Sequence, residues 1–291
     1  MEKVICPICG SGRNKFFCAP NGFDIYDCQN CGVGFVWPIA GDSADIYRAE
    51  YFNGGLADNR NNKFGYVDYE EDKRAMAGTF LTYLERVARY IVAGRMIDIG
   101  TATGYFLDLA KAKGWLTGGV EISAYAAAIA RDKGHKMFLG DVGDLAACEQ
   151  YDVVTMWDVL EHLPNPKKYL EDVNKILILG GLVAINTIDR GSWWAKLLGQ
   201  RWQAIAPPEH LFYFSAGSLK ILLEQNGFEI VEQSKIGKKF TLAYICKILA
   251  NRYNLGFLLP AMKFLNNGYW RKISLPINLR DNIFIIARKV G

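Results

Sequence analysis

No stretch limits the fold of this chain as tightly as the one from Arg95 to Trp115, which reads Arg-Met-Ile-Asp-Ile-Gly-Thr-Ala-Thr-Gly-Tyr-Phe-Leu-Asp-Leu-Ala-Lys-Ala-Lys-Gly-Trp. Met96, Ile97 and Ile99 make a short apolar run, and Phe106, Leu107, Leu109 and Ala110 recur at helical spacing. The pattern is a buried strand, a tight turn and a helix. Gly100 and Gly104 suit a turn whose backbone approaches a ligand closely, where a Cβ would clash or resist positive φ. A dinucleotide fingerprint would need a third glycine and a phosphate loop a lysine. Asp98, just before the turn, would repel a phosphate, so a cationic or amine-bearing ligand fits better. The competing reading is close packing of strand on helix.

The following segments extend the same design. Leu116–Ser123 is a second strand that ends in Glu121, where a carboxylate at a strand's C-terminal edge can accept two hydrogen bonds from a ribose diol. Gly140-Asp141-Val142 follows a third apolar segment, and Tyr151–Pro164 supplies a fourth strand with its exit loop, so four acidic groups line one sheet edge. Strands are expected to start at Arg95, Thr117, Lys136, Tyr151, Gly181, Phe228 and Asn282. Helices are expected over 72–92, 105–113, 124–133, 166–179 and 216–226. Such alternation builds an α/β, doubly wound, Rossmann-like parallel sheet with its ligand at the carboxyl ends of the strands.

Asp98-Ile-Gly100 with Gly104, Val120-Glu121-Ile-Ser123, Gly140-Asp141-Val142, Asp158-Val-Leu-Glu-His162 and Pro208-Glu-His-Leu211 occur in this order. In these motifs, over roughly residues 65 to 291, the chain resembles the class I S-adenosylmethionine-dependent methyltransferases, the broad group with quinone-biosynthesis and sugar methyltransferases. One departure is Thr101, where the family usually has glycine or cysteine. The resemblance implies a seven-stranded methyltransferase sheet with S-adenosylmethionine as cofactor. Glu121 would bind its ribose hydroxyls, Asp141 the adenine amino group with Val142 against the ring, and Asp98 the amino-acid end. It also implies cofactor contacts from Gly100, Thr101, Gly104, Tyr105, Ile122 and Trp157, and from Tyr66 and Tyr69 in a segment folded over the methionine end. Packing of those tyrosines against the sheet is the alternative.

Cys6-Pro-Ile-Cys9-Gly10 and Cys28-Gln-Asn-Cys31-Gly32 are matching knuckles with eighteen residues between them. Two thiolate pairs at this spacing can close a tetrahedral Zn²⁺ site, a small four-cysteine zinc ribbon at 1–40. Four sulfurs leave no open position, so the metal is expected to be structural. Disulfides fit less well, because no apolar signal segment is present and the chain is expected in the cytoplasm, and redox chemistry would need one such pair at a helix start rather than two in turns. Phe16, Phe17, Phe23, Ile25, Tyr26, Phe35, Val36 and Trp37 would form the ribbon's strands and docking face. Cys18 reads as a spare thiol, Cys148 and Cys246 as packing residues.

Residues 41–71 read as a linker and cofactor-covering segment carrying Tyr51-Phe52, and 72–291 as the methyltransferase domain with insertions at about 190–214 and 240–275. His162, on the loop after the fourth strand, is a candidate general base, since imidazole titrates near neutrality; the bland reading is a histidine that orders its loop. His210 is the second candidate. Trp193, Trp194, Leu197, Leu198 and Trp202 share a predicted helical face that could wall an apolar substrate pocket.

The net charge of +4 hides an asymmetry, because residues 235–291 carry eleven Lys/Arg against Asp281 alone, leaving −6 on the rest. Two apolar helices are expected between Thr241 and Trp270. This basic, apolar segment points to an anionic partner such as the inner membrane surface, where the protein would sit peripherally. The acceptor is expected to be a small molecule, a sugar or a lipid-linked group, methylated on oxygen. An rRNA or tRNA methyltransferase that uses the ribbon on RNA is the alternative, disfavoured by the ribbon's few basic residues. A non-catalytic zinc-ribbon scaffold is a third reading, opposed by the intact acidic and glycine motifs.

Overall fold

A computed structural model of the chain describes residues 3–39, 49–52, 69–145, 149–242, 246, 264–265 and 274–291. Tyr66, Cys148 and nearly all of the two helices expected over 241–270 lie outside the described residues.

Short strands begin the chain: β1 (Asn14–Cys18), β2 (Ile25–Cys28) and β3 (Gly34–Val36). The segments α1 (Ala49–Phe52), α2 (Tyr69–Ala75) and α3 (Ala77–Val87) lead to β4 (Arg95–Ile99) and α4 (Tyr105–Ala112). Alternation continues through β5 (Leu116–Glu121), α5 (Ala124–Asp132), β6 (Lys136–Leu139), β7 (Tyr151–Trp157), α6 (Pro166–Ile176) and β8 (Leu177–Ile188). After α7 (Trp193–Leu198), β9 (Phe212–Tyr213) and α8 (Ala216–Glu224) come β10 (Phe228–Ser234), β11 (Lys238–Thr241), β12 (Ser274–Ile277) and β13 (Asn282–Lys289).

Seven strands form the main sheet in the order β10-β13-β8-β7-β4-β5-β6, with β13 antiparallel to both of its neighbours. The order reverses between β4 and β7, the position at which open α/β sheets bind ligands. Period-2 side-chain alternation divides the core. Met96, Val153, Leu182 and Phe284 pack with Phe80, Tyr83, Leu84, Phe106 and Leu107 on one face. Ile97, Val154, Val183 and Ile285 pack with Leu170, Val173, Leu219 and Leu222 on the other. Helix starts follow local chemistry: Ser123, Asn165 and Ser215 each accept a backbone N–H of the first turn, and Pro166 supplies a preset φ.

The ribbon shares this core. β9, from the insertion after β8, pairs with β3 through Gly34↔Tyr213 and Phe35↔Phe212, completing a four-stranded sheet β1-β2-β3-β9. Phe212, Tyr213 and Phe214 are fully buried. Arg190, just past β8, donates to both carboxylate oxygens of Asp27 at 3.1 and 2.8 Å and lies 3.9 Å over the Phe17 ring.

Four expectations need correction. The helix expected over 72–92 starts at Tyr69, breaks at Met76 and ends at Val87. The helix expected to reach Leu179 stops at Ile176, because β8 starts at Leu177 rather than Gly181. Gly180, at φ +80, lets the strand bulge between the pairs Tyr151↔Leu177 and Val153↔Leu182. Trp193, Trp194, Leu197, Leu198 and Trp202 share no helical face, since α7 ends at Leu198, Trp202 is 1% exposed, and Trp193 and Leu197 are 57% and 67% exposed. Among the described residues no helix is long and apolar enough to cross a membrane.

Candidate active site

The carboxyl ends of β4, β5 and β7 open into one cleft of about 390 Å³, within the range of small-molecule sites. Gly100 stands at φ +67, and a Cβ on it would lie 2.7 Å from Val159 Cγ2, so the turn has no room for a side chain. Ala102, at φ +51, continues this strained bend. Glu121 is 5% exposed and lines the cleft. Its Oε2 accepts the N–H of Ala102 and its Oε1 the N–H of Ser123, both at 2.8 Å. The carboxylate thereby ties the glycine turn to the end of β5, and each oxygen retains a lone pair for a ligand hydroxyl. Burial raises its pKa, opposed by those backbone bonds.

Ile122, Gly140, Asp141 and Tyr169 line the same cleft. Asp141 caps a short 3-10 turn by accepting from Gly143 N–H at 3.2 Å. Val142 is buried in the core and does not line the cleft. Gly104 also stays off its wall: at φ +80, a Cβ there would meet His135 Cδ2 at 3.0 Å and Ala130 Cβ at 3.1 Å, which is the packing role for a glycine.

Asp98, Thr101, Tyr105, Tyr69, Lys73 and Trp157 line an adjoining recess. Asp98 is 2% exposed, and Thr155 donates its hydroxyl to it at 2.5 Å. Burial pushes its carboxyl up to about 7, against that hydrogen bond. Trp157 stacks on Tyr83 at 4.7 Å, and its buried indole N–H has no partner among the described residues. A carboxyl that ionises near neutrality in an apolar pocket suits an ammonium or sulfonium partner.

His162 and His210 meet on the cleft's other wall, ring centroids 4.8 Å apart and edge to face. His162 Nδ1 pairs with the Glu209 carbonyl at 2.8 Å and His210 Nδ1 with the Ala204 carbonyl at 2.7 Å. Glu161 is 1% exposed and accepts the Thr187 hydroxyl at 2.7 Å, while its carbonyl accepts Leu211 N–H. Burial lowers the pKa of His162 and brings His210 down to about 4, with His162 acting in the same direction. Burial likewise pushes Glu161 and Glu209 up to about 7. Asp158, at φ +54, accepts from Asn186 Nδ2 at 2.6 Å. Positive φ on such a residue is strain held by its surroundings.

Sequence reasoning missed several lining residues: Tyr51, Phe52, Lys73, Tyr169, Glu161 and Glu209. The last two had a signal, because Glu161-His162 and Glu209-His210 repeat one dipeptide. Phe52 was legible only as part of the linker and cofactor-covering segment, and it packs against Ala102, Ala126 and Tyr69 beside the glycine turn.

In the ribbon, Cys6 and Cys31 Sγ lie 3.6 Å apart, as do Cys9 and Cys28 Sγ, and all four sulfurs fall within 4.8 Å of one another. Disulfides are excluded at that separation. Four sulfurs at about 2.3 Å from a tetrahedral Zn²⁺ would be about 3.8 Å apart, so the cluster fits zinc. Gly10 and Gly32 take φ +70 and +74 and close matching turns onto Cys6 and Cys28 carbonyls.

Comparison with known proteins agrees with this geometry. Residues 69–233 match the model of the methyltransferase domain family. An uncharacterized protein of Methanocaldococcus jannaschii is 31% identical over 153 residues, 52% of this chain and 73% of that one. The ubiquinone biosynthesis O-methyltransferase of Glaesserella parasuis is 26% identical over 38% of this chain, which spans 52% of that relative's length. Magnesium protoporphyrin IX methyltransferase of Synechocystis, solved with bound S-adenosylhomocysteine, shares the fold at a TM-score of 0.52 and 14% identity, covering 84% of this chain and 99% of that one. With a family match over more than half its length and a sheet of the expected order, the chain belongs to the methyltransferase domain family and is a class I S-adenosylmethionine-dependent methyltransferase.

Proposed function

We propose that the protein transfers a methyl group from S-adenosylmethionine to an oxygen of a small-molecule acceptor. One observation carries this reading: a single cleft is lined at once by Gly100, Ala102, Glu121 and Asp141 and by Glu161, His162 and His210. The first group suits a nucleoside, with Glu121 on the ribose hydroxyls, Asp141 and Ile122 toward the base, and Asp98 toward the amino-acid end. Trp157, Tyr69 and Tyr105 wall the recess between. S-adenosylmethionine supplies a methyl on a sulfonium, already a good electrophile, so the protein's task is alignment and exclusion of water.

The acceptor hydroxyl loses its proton as the C–O bond forms and the C–S bond breaks. Glu161, His162 and His210 are the cleft groups able to hold that hydroxyl and deal with its proton. Apolar Leu163, Pro164 and Ile188 beside them favour an acceptor with an apolar body. The O-methyltransferase relatives support oxygen as the methylated atom. The comparisons lend no support to a membrane surface or to a sugar- or lipid-linked acceptor.

The test is incubation with methyl-labelled S-adenosylmethionine and separate pools of phenolic small molecules, monosaccharides, lipids and RNA. Label is expected in the phenolic pool and, at S-adenosylmethionine concentrations below the raised Kd, at least tenfold lower after Glu121→Ala. Label confined to RNA or protein would refute the reading.

A further inference from the structure

We propose that the ribbon is a structural part of the acceptor site: its strand β3 positions the Glu209-His210 wall of the cleft, so the ribbon governs acceptor handling and leaves cofactor binding alone. The inference rests on the methyl-transfer reading and deepens it, by naming Asn21, Gly34 and Val36 as positioning residues for the acceptor side. Glu209 and His210 both line the cleft. They stand in an irregular stretch between Arg201 and β9, and β9 itself is only two residues long. Such a segment has no ladder of its own to satisfy its backbone, so it takes its place from whatever it is pinned to.

The pins come from two sides. Leu211 N–H donates to the Glu161 carbonyl, and the Leu211 carbonyl accepts Val36 N–H, each at 2.9 Å, so a single residue bridges cleft and ribbon. Asn21 Nδ2 donates to the Pro207 carbonyl at 3.2 Å. Buried Tyr213, paired with Gly34 across the two strands, donates its hydroxyl to the His210 carbonyl at 3.1 Å. Cys28 N–H donates to the Val33 carbonyl at 2.8 Å, which ties the second cysteine knuckle to the approach of β3. Side chains close the same joint: Val33, Phe35 and Val36 are buried in one core with Leu160 and Phe212. The backbones come so near that a Cβ on Gly34 would lie 3.1 Å from both Tyr213 Cβ and Asp27 Oδ1.

The cofactor side has its own supports. Glu121 takes its backbone bonds from Ala102 and Ser123, and Asp141 from Gly143, all at the ends of the parallel strands. Displacing the ribbon therefore acts on one half of the cleft. A module hung on a linker moves independently behind a polar interface; here one hydrogen-bonded sheet runs across the joint. Burial brings the pKa of His210 down to about 4, so its ring reports whether the wall stays packed.

The test compares the full chain, with its ribbon metal retained, to Gly34→Val. The chain has 3 histidines, so their ring signals are separable by NMR. In the variant the Leu211 amide should exchange with solvent roughly tenfold faster or more. The His210 ring should titrate about one pH unit higher or more, toward the ordinary imidazole value of about 6.5, while His135, paired with Asp108 at 2.7 Å away from the joint, titrates as in wild type. S-adenosylhomocysteine affinity should stay within about threefold by calorimetry, and label passed from saturating methyl-labelled S-adenosylmethionine to the phenolic pool should fall roughly tenfold or more. Gly34→Ala replaces the valine variant if that fails to fold, with the same directions expected. A folded variant with wild-type Leu211 exchange, His210 titration or labelling overturns the positioning role, as does a loss of S-adenosylhomocysteine affinity beyond about tenfold. Wild-type protein that labels no phenol overturns the methyl-transfer reading alone, and the exchange and titration results still decide the ribbon's role.

Discussion

Replacing Glu121 by alanine perturbs two things of calculable size. Its carboxylate accepts two backbone N–H groups at 2.8 Å and, on the proposed reading, two ribose hydroxyls. Hydrogen bonds to a charged group contribute about 1.5–3 kcal/mol each. Water can enter the vacated space and replace part of the loss, so about 2–4 kcal/mol of ligand affinity should disappear, roughly a 30- to 1,000-fold rise in Kd. The Ala102 and Ser123 N–H groups lose their acceptor in a buried turn, at about 1–3 kcal/mol each before hydration. For a domain of this size that corresponds to a fall of roughly 5–10 °C in Tm. Calorimetry with S-adenosylhomocysteine below the lowered Tm separates the two effects. Glu121→Gln keeps one acceptor but aims an NH₂ at an N–H, so it should fall between alanine and wild type. A folded alanine variant with affinity within threefold of wild type would refute the assignment of the ribose to this carboxylate.

Further outcomes follow from the same geometry. Gly100→Ala meets both the positive-φ cost of about 1–2 kcal/mol and Val159 at 2.7 Å, so calorimetry should show at least tenfold weaker S-adenosylhomocysteine binding with a Tm loss of only a few degrees. Arg190→Ala removes a two-pronged ion pair with Asp27 and a cation–π contact with Phe17, about 2–3 kcal/mol together, and limited proteolysis should then cut the ribbon before the methyltransferase core. Asp98 holds a proton in the native state up to about pH 7 that the unfolded chain releases near 3.8, so denaturant titration should show ligand-free stability falling as pH rises across that window. Binding of a cationic amino-acid end should rise with pH over the same range and level off above it, and Asp98→Asn should flatten that profile.

Local chemistry explains what was legible in the sequence. Arg95–Ile99, Tyr151–Trp157 and Asn282–Lys289 are apolar runs long enough to be buried on both faces, and their starts were read correctly. The cysteine knuckles were legible because metal chemistry imposes its own spacing. The pairing of Phe212–Tyr213 with the ribbon was not, since a two-residue strand gives no periodicity and its partner is more than 170 residues away. The break at Met76 was not legible because the nearby glycine, Gly78, falls inside the second helix rather than at the break itself. At Gly104 and Val142 the spacing was legible but the surroundings were not: Gly104 packs against Ala130 and His135, and Val142 lies in the core. Asp158 and Glu161 illustrate the converse: a strained φ and a buried carboxylate are tertiary facts that become visible only once the cleft exists.

The most direct measurement is a crystal structure of the full chain with S-adenosylhomocysteine. The ribose hydroxyls should lie within hydrogen-bond distance of Glu121, with the amino-acid end near Asp98 and the sulfur facing the wall that carries His162 and His210. A nucleoside bound elsewhere, or one whose ribose makes no contact with Glu121, would contradict the proposed site.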